Sequence, residues 1–182
     1  MWKWIGGILV AVIVLVTGAA YWGFKKISGT FEPDGSVRVA IAATPARVFA
    51  SLSDADSAAT WMANGSKVTV SRHGTFLPGD PISVEVRTVG AARPVTWTVK
   101  EVSPGQFVTK QLDSPDPRHK FVALRKDSVS QKGDSAIVIS RITTTTPLTD
   151  TGEQMMISMF KVQSKLELMS LKSRIEGKGA KY

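Results

Sequence analysis

The sequence predicts an α+β fold: an antiparallel sheet packed against one long C-terminal helix, preceded by one N-terminal transmembrane helix. Three observations predict it. Residues 5–24 run twenty positions without a charge. Apolar and polar residues alternate with period two in short runs between Val37 and Thr145, separated by turn formers. From about Thr149 or Asp150 to Ile175 the apolar positions recur at helical spacing and are closed by Gly177. The organisation that follows is an anchor over 1–27, a linker over 28–36 and a single domain over 37–182.

A helix of twenty residues covers roughly 30 Å, the hydrocarbon thickness of a bilayer. Nine residues between Ile5 and Val16 are strongly apolar and favour insertion by about 3–5 kcal/mol together. Trp2 and Trp4 at one end, and Tyr21 and Trp22 at the other, stand where aromatic rings prefer the headgroup level, with Lys3, Lys25 and Lys26 closing both ends. A cleaved secretory signal is the competing reading, with Lys3 as its charged start and Gly18, Ala19 and Ala20 as the cleavage site. The apolar run continues past that site through Tyr21, Trp22 and Phe24, which favours the anchor. A core helix, apolar all round at the chain terminus, is least favoured. The flanking charges balance, so the positive-inside rule sets no orientation. The expectation is a single-pass membrane protein whose soluble domain is extracytoplasmic, periplasmic if the source is bacterial.

With 43% hydrophobic and 21% charged residues the chain is of ordinary globular composition, and the roughly 150 residues after the anchor suffice for one core. The absence of cysteine excludes disulfides, thiolate metal sites and cysteine nucleophiles. The net charge is +8, and six of the lysines and arginines fall in the last 22 residues against Glu167 and Glu176. Such a basic end either touches anionic headgroups or is a solvated helix face. It is not interleaved with stacking aromatics, and no nucleic-acid-binding module is present, so no nucleic-acid partner is expected.

The soluble part opens with a strand, Val37, Val39 and Ile41 alternating with Arg38 and Ala40. Thr44 and Pro45 then supply an N-cap and a first-turn proline for a helix over Pro45–Ser53. Asp54 caps a second short helix to Trp61, ended near Asn64 and Gly65. Strands are predicted at Val68–Ser71, around Ile82–Val86, around Val95–Val99 and at Phe107–Leu112, with Gly74, Gly79 and Gly105 in the turns. Two more follow at Phe121–Leu124 and Ala136–Thr145, with loops at Asp113–Pro117 and Gln131–Asp134.

In the closing helix Met155, Met159, Val162, Leu166 and Met169 step by four and three, which predicts one apolar stripe against the sheet. A second row, Met156, Phe160 and Leu171, widens the apolar face beyond a coiled-coil seam.

Strand, two short helices, antiparallel meander and long C-terminal helix together form the helix-grip arrangement. The chain resembles the START-like SRPBCC superfamily, in particular its polyketide cyclase/dehydrase-like branch. The segments that carry the resemblance are VRVAIAATPARVFASLSDADSAATW (37–61), FLPGDPISVEV (76–86), VTWTVKEVSPGQFVTKQ (95–111) and ISRITTTTP (139–147). The resemblance implies a curved sheet wrapped on the last helix, enclosing a cavity for an apolar or amphipathic molecule. Members mostly bind lipids, sterols, polyketides or aromatic compounds, and only some catalyse.

The residues expected between sheet and helix are Val84, Val86, Val95, Trp97 and Val99 from the strands and Met155, Met159, Val162 and Leu166 from the helix. They either line a ligand cavity or fill a solid core, and the flexible thioethers suit an adaptable apolar pocket. Trp61 stands at the cavity mouth or caps the short helices. No catalytic constellation, metal site or cofactor is predicted. His73 and His119 lie in polar loops without ligand spacing, Asp54 and Asp56 read as helix caps, and the hydroxyls of Ser51, Ser53 and Thr143–Thr146 have no base placed beside them. The strand charges Glu85, Arg87, Lys100, Glu101 and Arg141 are those to inspect for burial. The leading expectation is a membrane-tethered domain that binds a hydrophobic or lipid-like molecule. A cyclase- or hydrolase-like enzyme on a bulky apolar substrate and a filled-core protein-interaction module are the alternatives.

Overall fold

The computed structural model describes residues 36–62, 67–88, 91–113, 122–145 and 151–177. The predicted anchor, with Trp2, Trp4, Tyr21, Trp22, Lys25 and Lys26, lies outside the described residues, as does His119. Among the described residues no helix is long and apolar enough to cross a membrane.

Two short helices follow the first strand, and each begins where a cap is available. Thr44 accepts from the Arg47 amide at 3.4 Å and Pro45 occupies the first turn of α1 (Pro45–Ser53). The Asp54 carboxylate accepts from the Ser57 amide at 2.7 Å and opens α2 (Ala55–Trp61). Each cap satisfies an amide that the helix cannot. The junction is sewn to the loop before the next long strand, since the Ala55 amide donates to the Gly74 carbonyl and the Phe76 amide to that of Ser53, both at 2.8 Å.

Seven strands form one sheet: β1 (Val37–Ile41), β2 (Val68–Val70), β3 (Pro81–Thr88), β4 (Ala91–Ser103), β5 (Phe107–Asp113), β6 (Val122–Lys132) and β7 (Ser135–Thr144). Their order is β1-β7-β6-β5-β4-β3-β2, and every neighbouring pair is antiparallel. The predicted meander is therefore present, closed by β1 against β7. The sheet curves, and its inner face packs on α1, α2 and the long α3 (Thr151–Ile175). Inward residues alternate along each strand: Val37, Val39 and Ile41 on β1; Ile82 and Val84 on β3; Val95, Trp97 and Val99 on β4; Ala136 and Val138 on β7.

Two expectations need correction. The strand expected at Phe121–Leu124 runs as Val122–Lys132, and the expected loop Gln131–Asp134 shrinks to a two-residue turn in which Gly133 takes φ 57° between the paired Lys132 and Ser135. A left-handed turn residue matches the twist of the flanking strands, and glycine adopts it without a Cβ clash. The added length was hidden because the inward positions after Ala123 are Arg125 and Asp127, which break the apolar alternation.

The second correction concerns the face of α3. Its buried positions are Ile157, Ser164, Glu167, Leu168, Ser170, Leu171 and Ile175, with Met156 and Phe160 half-buried against the core. At about 100° per residue most of this set centres on Ser164, and the row Met155, Met159, Val162, Leu166 and Met169 lies roughly opposite. Met155 is 65% exposed, Met159 45% and Leu166 41%, and Val162 is half-buried. The helix thus faces the sheet with its second row.

Candidate functional site

The centre of the sheet-to-helix interior holds four ionisable side chains. Lys110 on β5, Arg125 and Asp127 on β6 and Glu167 on α3 are each at most 2% exposed. Period-two alternation puts Lys110 between the inward Val108 and Leu112, and Arg125 and Asp127 between Ala123 and Val129. Register then aligns them across strands, with Lys110 opposite Arg125 and Asp127 opposite Ser140.

The cluster is closed by charge. Asp127 Oδ1 accepts from Arg125 Nε at 2.9 Å, and Asp127 Oδ2 lies 2.9 Å from Lys110 Nζ, an ion pair off hydrogen-bond alignment. Arg125 Nη1 donates to Glu167 Oε2, and Gln163 Nε2 donates to the other Glu167 oxygen at 3.2 Å. Lys110 Nζ also sits 5.3 Å from the centroid of the Trp61 ring, a distance at which a cation is attracted by the ring quadrupole. Trp61 is fully buried and its indole donates to the Ser51 carbonyl at 3.1 Å, so it ties α2 to α1 and floors the cluster rather than standing at a mouth.

Burial alone would push the Asp127 carboxyl up; Arg125 and then Lys110 outweigh it and hold it well below the usual carboxylate range. Burial pulls the Lys110 ammonium below its ordinary value, with Asp127 opposing in part. For Arg125, burial acts to lower the value, and Asp127 and Glu167 together overcome it and raise it. Four buried polar atoms, Arg125 Nη2, Asp127 Oδ2, Ser140 Oγ and Ser164 Oγ, have no aligned hydrogen-bond partner among the described residues; the Lys110 charge meets Asp127 Oδ2, and Ser140 stands opposite Asp127 and helps to lower its carboxyl. An unmet donor in an apolar interior costs about 1–3 kcal/mol, which makes Arg125 Nη2 and Ser164 Oγ the natural contacts for a polar group brought in from outside.

Around the charges the walls are apolar. Trp97 meets Phe160 of α3 edge-on, with ring centroids 5.7 Å apart. Of the residues expected to line a cavity, Val84, Val95, Trp97 and Val99 do face inward. The side chain of Val86 lies outside the described residues. Val162, half-buried, lies in the same outward row as Met155, Met159 and Leu166, which point away from this interior. Of the strand charges singled out from sequence, Lys100, Glu101 and Arg141 are exposed, Glu85 is half-buried and the side chain of Arg87 lies outside the described residues. The signal that would have found them is the Arg125-x-Asp127 pair, which shares one strand face, and the position of Glu167 on the same helix face as Phe160, Ser164 and Leu171.

The remaining candidates are structural. Asp54 caps α2, and Asp56 receives the Gly74 amide at 3.1 Å and pairs with the exposed His73 at 2.6 Å. The His73 hydrogen bond, then that of Gly74, holds the Asp56 carboxyl below its ordinary value. The Ser53 hydroxyl donates to the Phe49 carbonyl at 2.9 Å. Among the described residues no group of three or more metal-ligating side chains converges. An open cleft of about 700 Å³ lies outside the sheet interior, between α1 and the β4–β5 turn, bordered by Phe49, Ser53, Val102 and Gly105 among others. None of the residues expected to line a cavity borders it.

A curved seven-stranded antiparallel sheet closed on a C-terminal helix, with two short helices after the first strand, defines a START-like domain of the SRPBCC superfamily. Residues 33–176 match the model of the family described as polyketide cyclase/dehydrase and lipid transport, and the chain belongs to that family. No curated protein matches the chain. Among solved structures it is similar to the Aha1 dimer from Colwellia psychrerythraea, at 19% identity and TM-score 0.57 over 80% of this chain and 97% of that one. Ms6760 from Mycobacterium smegmatis gives 12% identity and TM-score 0.58 over 78% and 90%. CalU16 from Micromonospora echinospora gives 14% and 0.57 over 82% and 81%. At such identities these likenesses speak for the fold alone.

Proposed function

We propose that the chain is a membrane-tethered START-like domain that binds a hydrophobic or lipid-like small molecule between the sheet and α3, with residues 5–24 as the tether. The observation that carries the binding reading is the ionic cluster inside an otherwise apolar interior. A buried ion pair contributes little to stability over apolar residues of the same volume, so a core selected only for stability gains nothing from four such side chains. With unmet donors at Arg125 Nη2 and Ser164 Oγ, the cluster suits the polar end of an amphipathic ligand whose body packs on Trp97 and Phe160. The tether keeps this interior close to a bilayer-dissolved ligand, an effective-concentration advantage.

The full chain, purified in detergent and extracted with organic solvent, is expected to release an apolar molecule with one polar end. Its re-addition to the stripped protein raises the melting temperature, and Arg125→Met abolishes that rise while the variant stays folded. An empty extract, with no thermal shift from a panel of lipids, sterols and aromatic polyketides, overturns the reading. The depressed Lys110 amine favours one further reading, an enzyme with Lys110 as base. Conversion of the extracted molecule by wild type, lost in Lys110→Met with binding intact, would establish it.

A further inference from the structure

The inward face of α3 changes character along its length. Met156 and Phe160 are half-buried against the core, Ser164 and Glu167 are polar and buried, and Leu168, Leu171 and Ile175 are apolar and buried. Phe160, Ser164 and Glu167 are spaced by four and three, so they stack on one side of the helix about 4.5–6 Å apart per step. Leu168, Leu171 and Ile175 close the interior beyond Glu167, whereas Met156 and Phe160 keep part of their surface uncovered before Ser164.

The ionic cluster sits where this change occurs. Two cations, Lys110 and Arg125, meet two carboxylates, Asp127 and Glu167, so the charges cancel. Both carboxylates are engaged on both oxygens, Asp127 by Arg125 Nε and the Lys110 charge, Glu167 by Arg125 Nη1 and Gln163. What is left over is donor capacity, the N–H groups of Arg125 Nη2 and the Ser164 hydroxyl. Burial pulls the Lys110 ammonium below its ordinary value, and a neutral Lys110 leaves the sum negative, so neither state of that amine calls for an anion.

We infer that the polar end of the ligand is an uncharged carbonyl, a ketone or an ester, which accepts from Arg125 Nη2 and Ser164 Oγ, and that a free carboxylate is rejected. This names the ligand class for the binding reading above and rests on that reading. A carbonyl oxygen carries two lone pairs and no proton, which matches two unmet donors. A carboxylate brings a charge that the balanced cluster does not offset, and an uncompensated charge in an apolar interior is costly. An ammonium finds both carboxylates already engaged. With the far side closed by Leu168, the body of the ligand extends towards Phe160, Trp97 and Met156.

The stripped full chain in maltoside micelles is titrated at about pH 8, where a carboxylic acid is ionised, and the rise in melting temperature gives apparent affinities. Two pairs of probes differ in charge, methyl palmitate with palmitate and the fused-ring methyl abietate with abietate, and hexadecane has no polar end. Each ester is expected to bind about tenfold or more tighter than its acid. Ser164→Ala should weaken both esters about three- to tenfold, leave the hexadecane response unchanged and leave the ligand-free protein no less stable, since its hydroxyl has no partner there. Glu167→Gln, where it folds, removes one negative charge and should lower the ester-to-acid ratio about fivefold or more. An acid that binds as tightly as its ester overturns the inference and leaves the binding reading standing. Ester affinity unchanged in Ser164→Ala, or a ratio unchanged in folded Glu167→Gln, does the same. No response to any probe also overturns the inference, and the binding reading falls with it only when the solvent extract is empty as well.

Discussion

Lys110 and Arg125, two cations, stand directly opposite each other on β5 and β6, both 1% exposed. Like charges in one rung of a sheet repel, and inside a protein the repulsion is weakly screened. The arrangement holds because Asp127 lies between them and binds both, while Glu167 reaches down from α3 to the far side of Arg125. The register of three strands and the seating of one helix are thereby tied to one charge balance.

Removing one member is expected to cost far more than removing a pair. Glu167→Met leaves the Arg125 guanidinium buried with reduced compensation and should lower the unfolding free energy by about 3–5 kcal/mol. The double variant Arg125→Met/Glu167→Met should recover at least half of that loss. Urea titration with an unchanged m-value checks both, and a double variant less stable than the sum of the singles contradicts the account.

Asp127 also sets an acid limit. Its carboxyl is depressed in the folded protein relative to an ordinary value of 3.8, so below that value the unfolded chain binds the proton and the folded one does not. Stability from this group is fully present above the unfolded value and is lost as pH falls towards the folded one. Urea midpoints measured from pH 6 to pH 2 should fall below about pH 4, and Asp127→Asn, destabilised throughout, should show a flatter acid limb.

Trp97 and Phe160 join β4 to α3 edge-on. Trp97→Ala is expected to cost about 3–5 kcal/mol through lost burial and the space left behind. A cycle with Phe160→Ala should give a coupling of about 0.5–1.5 kcal/mol, the usual contribution of an aromatic pair beyond its area. Zero coupling in denaturant titrations would show that the two rings do not meet.

The orientation of α3 is testable by contrast between its faces. Met155→Ser and Met159→Ser should change stability by less than about 0.5 kcal/mol, as exposed positions do. Leu168→Ala and Leu171→Ala should each cost about 2–5 kcal/mol. The reverse order in thermal or urea unfolding would return the methionines to the sheet side.

Much of the fold was legible in residue order. Thr44-Pro45 and Asp54 mark their helices because capping is local chemistry. The alternation in β1, β3 and β4 marks half-buried strands, and Gly105 and Gly133 mark turns with φ of 71° and 57°. The charged half of β6 was not legible, because Arg125 and Asp127 read as solvent-facing when taken alone. Their burial depends on Lys110, fifteen residues before Arg125 in the preceding strand, and on Glu167, forty-two residues after it.

The sequence by itself determined the element order, the antiparallel meander, the long closing helix and the superfamily, since each rests on neighbours a few residues apart. Only the tertiary structure decided which face of α3 meets the sheet and which charges lie inside. Helical periodicity alone leaves two apolar rows on α3, one through Met155, Met159, Val162, Leu166 and Met169 and one through Ile157, Phe160, Leu168, Leu171 and Ile175. The sheet, however, presents a buried Lys110–Arg125–Asp127 group whose excess cation calls for the carboxylate of Glu167. Seating Glu167 on Arg125 and burying Ile157, Leu168, Leu171 and Ile175 require the same helix face, so that face turns inward and Met155, Met159 and Met169 stay out.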